Sequence, residues 1–112
     1  MGKDELIGGF VQELRRGTII LCVLAKLKEP QYGYNLIADL ENVNIIIEAN
    51  TLYPMLRRLE SQGLLESSWN TESAKPRKYY NTTELGVEIL EELSSHWRNT
   101  AKNMEDILGG EI

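Results

Sequence analysis

The 112-residue sequence is poor in the residues that build cross-linked or metal-bound scaffolds. Its one cysteine, Cys22, excludes a disulfide framework and a cysteine-based zinc site, and its one histidine, His96, argues against a histidine-ligated metal. Long apolar runs are missing too. The longest, Ile19 to Ala25, falls well short of the about 20 residues that cross a bilayer. The opening Met1 to Leu6 has no signal-peptide core, and Leu6 stands where an N-myristoylation signal needs Ser or Thr. No glycine-rich phosphate loop, Ser-His-Asp set or Cys-His pair is present. These absences predict a cytoplasmic protein that is not an enzyme, with no membrane partner, metal or cofactor. Positive charge is also short. Twelve Lys and Arg stand against seventeen Asp and Glu, a net charge of −5, which as a single number disfavours a nucleic-acid partner.

What is present organises into one domain spanning 1–112, with 42% apolar residues to form a core. Residues 5–28 read as helix: Leu6, Ile7, Phe10, Val11 and Leu14 keep three-and-four spacing, and Ile20, Leu21, Leu24 and Leu27 resume it. Gly8, Gly9 and Gly17 weaken this helix, Gly17 leaves room for a break, and Glu29-Pro30 stops it. A second helix runs from about Gly33 to Glu41, and Asn42 to Ile47 is a short connector. A third helix ends at Gly63, a suitable glycine beyond a helix C-terminus. Pro54 leaves two starts open for it, Thr51 as N-cap or an earlier, distorted start at Glu48.

The period then changes from 3.6 to 2. Residues 64–69 and 77–82 read as strands joined by the polar stretch Asn70 to Pro76. Thr83 and Glu84 open a last helix that reaches about Leu108. The predicted fold is mainly α with a β-hairpin: a winged helix-turn-helix (5–82 with its N-terminal helix) plus a long C-terminal helix (83–108).

Within the third helix, Leu52, Leu56 and Leu59 fall on one face, while Asn50, Arg57 and Ser61 lie opposite. Tyr53 flanks the polar face on one side, Thr51 and Arg58 on the other. These are donors suited to base edges and phosphates, although a solvated face accounts for them equally. The hairpin adds Lys75, Arg77 and Lys78. Residues 51–81 hold five basic and three acidic side chains, net +2; the other residues hold seven and fourteen, net −7. Basic charge is therefore gathered on the two elements that a winged helix presents to DNA.

The segments Leu14-Arg-Arg-Gly-Thr-Ile-Ile-Leu-Cys-Val-Leu24, Tyr32-Gly-Tyr-Asn-Leu-Ile37, Thr51 to Glu66 and Pro76-Arg-Lys-Tyr-Tyr80, with Thr83-Glu-Leu-Gly86, resemble the PadR family of bacterial transcriptional regulators. The resemblance covers roughly residues 14–97, and the single C-terminal helix looks like the family's short subclass. It implies a homodimeric repressor on a pseudo-palindromic double-stranded DNA operator. Asn50, Thr51, Tyr53, Arg57 and Arg58 would serve the reading helix, and Lys75, Arg77 and Lys78 the wing. The runner-up is a winged-helix protein-interaction or ligand-binding module without operator binding.

The last helix carries Ile89, Leu90, Leu93, Trp97, Met104, Ile107 and Leu108 within about 100° of arc. So small a body cannot cover that stripe, so dimerisation is expected, with the Leu6–Leu14 face available to join it. Trp97 has two readings, an interface anchor or a stacking platform for a planar aromatic effector. Leu93, Ala101, Phe10 and Leu14 share that region. In multidrug-sensing PadR relatives a tryptophan at the matching distance from the Tyr-Tyr pair stacks on the ligand. Those relatives carry an acid one turn later where Ala101 stands here, so a preference for cations does not carry over. His96 reads as a surface residue and Cys22 as a small buried one.

Overall fold

The computed structural model describes residues 1–72 and 74–109. Among the described residues, five helices and three short strands follow in the order α1 (Lys3–Arg16), α2 (Ile19–Lys26), β1 (Gln31–Tyr32), α3 (Gly33–Glu41), α4 (Ala49–Ser61), β2 (Leu65–Asn70), β3 (Arg77–Thr82) and α5 (Glu84–Ile107).

The expected first helix is two. Its break falls at Gly17 and Thr18, where the Thr18 hydroxyl and amide both donate to the Arg15 carbonyl, at 2.9 and 3.0 Å. The two halves have opposite fates, which explains why the chain turns there. No residue of α1 is buried, whereas Val23 and Leu24 of α2 are fully enclosed. Asp4 and Glu5 in the first turn of α1 and Arg15 and Arg16 in its last suit the helix dipole and favour the helix at both ends.

Leucines dominate the core. Leu24 and Leu27 of the α2 region meet Leu36 and Leu40 of α3, Leu52, Leu56 and Leu59 of α4, and Leu65 of β2. The turn between α3 and α4 passes through Asn44 at φ 64°, a left-handed position that asparagine tolerates, and Ile45 N–H closes on the Leu40 carbonyl at 2.9 Å. Helix α4 begins with Glu48 as N-cap, the earlier of the two starts, so Pro54 is its sixth residue. Proline there has no N–H for the Asn50 carbonyl, and that gap falls at the exposed end of the helix. Gly63, at φ 85°, ends the helix as expected, and Leu64 N–H returns to the Leu59 carbonyl.

The sheet has one strand more than the expected hairpin, in the order β1-β3-β2. Strand β1 pairs Gln31 with Tyr80 and Tyr32 with Tyr79. Two residues leave no period in a sequence, so this strand had no signal of its own. Thr82 fixes the sheet to α2, its hydroxyl donating to the Leu24 carbonyl and its amide to the Leu27 carbonyl, both at 2.8 Å. Thr83 caps α5 by accepting from Gly86 N–H at 3.0 Å, and its hydroxyl donates to the Gly63 carbonyl at 2.7 Å. Gly86 packs so closely that an added Cβ would lie 2.3 Å from the Leu64 carbonyl oxygen. Beyond Leu90 and the half-buried Leu93, α5 projects away from the core. Trp97 is 48% exposed and Leu108 77%.

Candidate nucleic-acid interface

Helix α4 divides as its sequence predicts. Leu52, Leu56 and Leu59 are wholly buried, and Asn50, Thr51, Arg57, Arg58 and Ser61 stand in solvent. Among the described residues, neither Arg57 nor Arg58 is in an ion pair. Their charges are therefore free for an outside anion.

Tyr53 is not a free donor on that face. It is half-buried, with its hydroxyl end resting against the start of α3, where a Cβ on Gly33 would lie 2.3 Å from Oη. Glycine at position 33 is thus a condition for this tyrosine's pose. Burial raises the Tyr53 phenol above its ordinary pKa, and the nearby Tyr34 and Tyr80 phenols add to the shift. Tyr53 therefore remains a neutral hydroxyl at any physiological pH.

On the wing the three expected cations differ. Arg77 lays its guanidinium over the Tyr32 ring, 4.5 Å from its centre, and Tyr32 meets Tyr79 edge-on at 5.4 Å. The aromatic pair supports the arginine while its hydrogen-bonding edge remains available. Lys78 turns to the other face of the strand, with Nζ 3.6 Å from the Glu60 carboxylate and 5.3 Å from the centre of the Tyr80 ring. The Ser67 hydroxyl donates to the other oxygen of Glu60. Glu60 thus joins α4 to both wing strands, and Lys78 already has a counter-charge. Lys75 is exposed in the loop.

A cleft of ≈ 720 Å³ lies between α4 and the wing. Tyr34, Tyr53, Arg57, Trp69, Arg77 and Lys78 are among the residues lining it. Trp69 pairs with Lys78 across the hairpin and is 63% exposed. Sequence reasoning passed over Trp69, Tyr34 and Glu60. Strand alternation places Trp69 on the same face as Ser67, and that was the available signal for it. Glu60 had none, because its partners lie on strands seven and eighteen residues away.

The residues assigned to an effector or a subunit contact form no enclosed site within one chain. Phe10 and Leu14 are exposed on α1, while Leu93, Trp97 and Ala101 follow one stripe of α5. His96 is exposed as expected, in an open depression with Glu88, Glu91 and Glu92. Cys22 is half-buried rather than fully buried, and burial raises its thiol pKa. Among the described residues there is no group of potential metal ligands, and no helix is long and apolar enough to cross a membrane.

A helix-turn-helix with a free polar face, flanked by an arginine-bearing wing, defines a winged-helix DNA-binding protein. Residues 20–97 match the Transcriptional regulator PadR-like family, and the chain belongs to it. The structure is similar to that of a PadR family transcriptional regulator from Eggerthella lenta, at 47% identity and a TM-score of 0.91, covering 96% of each chain. It is also similar to a PadR family transcription regulator from Clostridium difficile, at 33% identity and a TM-score of 0.75, over 82% of this chain and 99% of that one. A transcriptional regulator of Mycobacterium tuberculosis is 28% identical over 102 residues, covering 90% of this chain and 92% of its own length. The family is one of transcriptional regulators rather than enzymes, and the expected fold and family are both borne out.

Proposed function

We propose that the protein is a homodimeric repressor of the cytoplasm that binds a pseudo-palindromic DNA operator and is released by a planar aromatic effector. The observation that carries operator binding is the unpaired set Asn50, Thr51, Arg57 and Arg58 on α4, set beside the Tyr32-supported Arg77 of the wing. Arg57 suits bidentate contact with a guanine edge, and Asn50 an adenine edge. Arg77 and Lys75 suit the phosphate backbone. Two copies would place two reading helices on half-sites about 34 Å apart, one turn of the duplex.

The second copy is called for by the apolar residues left in water. Leu6, Ile7, Phe10 and Leu14 of α1, and Trp97, Met104, Ile107 and Leu108 of α5, are all exposed in the single chain. Pairing α5 with α5, with α1 laid alongside, covers both sets. Trp97 then lies close to its mate, where a flat aromatic molecule can enter between them.

The test is gel retardation of the DNA upstream of the protein's own gene. Wild type should retard it at low salt, and a panel of planar aromatic compounds should contain one that releases it. Arg57→Ala should weaken binding by about 1–3 kcal/mol and relax one base preference. Unaltered binding by that variant would overturn the assignment of α4 as the reading helix.

A further inference from the structure

The reading face of α4 is bordered by two clefts. One is the wing cleft, on the side of Tyr53 and Arg57. The other, of ≈ 360 Å³, lies on the Thr51 side between the end of α1 and the start of α4, and its polar lining is Gln12, Arg15, Arg16, Glu48 and Thr51. Arg15 and Arg16 fall outside the basic 51–81 stretch of the sequence, yet folding brings them to the edge of the reading helix. Both are exposed, and among the described residues neither is in an ion pair. The Thr18 hydroxyl and amide, both donating to the Arg15 carbonyl, hold the corner that aims them.

A helix seated in the major groove, about 12 Å wide, has a sugar-phosphate strand on each side. The wing stands on one side of α4 and reaches one of those strands. We propose that Arg15 and Arg16 bind the phosphates of the other strand, so that each subunit grips both walls of the groove it reads. Guanidinium groups suit this task because they engage phosphate oxygens in pairs. Gln12 and Thr51 supply neutral donors in the same cleft. Glu48 opposes the arginines there and limits the attraction. The inference rests on operator binding and extends it to an element that the wing and the reading helix do not include.

The experiment is the salt dependence of binding to the same upstream DNA. Each lost phosphate contact should flatten the slope of log affinity against log salt by about 0.9. Between about 50 and 200 mM salt, the affinity lost by wild type should exceed that lost by Arg15→Gln/Arg16→Gln by roughly 12-fold, or about 3.5-fold for each single variant. The paired lysine variant should retain most of the slope, since charge is kept, and Glu48→Gln should bind more tightly than wild type. Base preference, read by competition with altered half-sites, should stay that of wild type in all of them. Lys102→Gln, the same charge loss far along α5, should leave the slope alone. A double variant with the wild-type slope would overturn the proposal, as would equal flattening by Lys102→Gln. If wild type retards no DNA at low salt, operator binding itself fails and this inference fails with it. If Arg57→Ala alone loses binding, operator binding stands and only the α1 contact is lost.

Discussion

The two ends of this molecule are finished to different degrees. From α2 to the first turns of α5, leucines fill the interior, and two threonines lock the sheet and the last helix to it. Helix α1 has no buried residue, and the distal part of α5 carries Trp97, Met104, Ile107 and Leu108 in water. The same residue type meets opposite conditions: Leu56 is fully buried, while Leu14 is 78% exposed. One region completes its burial within a single chain. The other leaves apolar side chains uncovered in the single chain, the surface that the proposed dimer would cover.

The sharpest way to break that contrast is to truncate both leucines. Leu56→Ala should destabilise the chain by about 2–5 kcal/mol in chemical denaturation, through lost burial and a cavity that closes poorly. Leu14→Ala should leave the unfolding of the winged-helix head unchanged when measured below the dimer dissociation constant. Comparable losses at both sites would show that α1 is already packed in the monomer. Trp97→Ala should raise the dissociation constant of the proposed dimer about 30-fold in sedimentation experiments, the scale of a central aromatic anchor worth about 2 kcal/mol. The head should retain its fold in that variant. A planar compound that quenches tryptophan fluorescence equally in wild type and Trp97→Ala would remove stacking at Trp97, leaving Trp69 as the reporter.

Within the head, Gly33→Ala should cost about 1–3 kcal/mol, because the added methyl meets the Tyr53 ring and must displace it. Operator affinity should fall with it, even though position 33 faces no base. The smallest expected effect separates the two wing cations. Arg77→Gln should flatten the salt slope of binding by about 0.9, whereas Lys78→Gln should leave it near wild type because Glu60 already neutralises that lysine. Equal slopes for the two variants would mean that Lys78 leaves Glu60 when DNA arrives.

The legible parts of this structure are those with a local cause. Period set the inner face of α4, Gly17 marked the break before α2, and Gly63 the stop after α4. The uneven placement of charge singled out the wing despite a net acidic chain. What stayed hidden depends on residues distant in sequence. Strand β1 exists because β3 is there to pair with it. Lys78 turns inward because Glu60, eighteen residues earlier, waits on the neighbouring helix. Arg15 and Arg16 belong to no basic run, and only the corner at Thr18 sets them beside Thr51. Tyr53 has the spacing of a flanking surface residue, and a glycine twenty positions upstream makes room to tuck it in.

Thr83 stands where three parts of the chain meet, holding the first turn of α5, the end of the wing and the glycine that closes α4. Gly86 packs against the Leu64 carbonyl at the same junction. In the proposed dimer α5 would serve as a lever, about 36 Å long by its 24 residues, with the winged-helix head at one end. In the proposed dimer, an effector that tilts one lever against the other turns both heads without altering either. The signal to the proposed operator would then be a distance between two unchanged halves, and probes attached to the two heads would register it as a change of spacing alone.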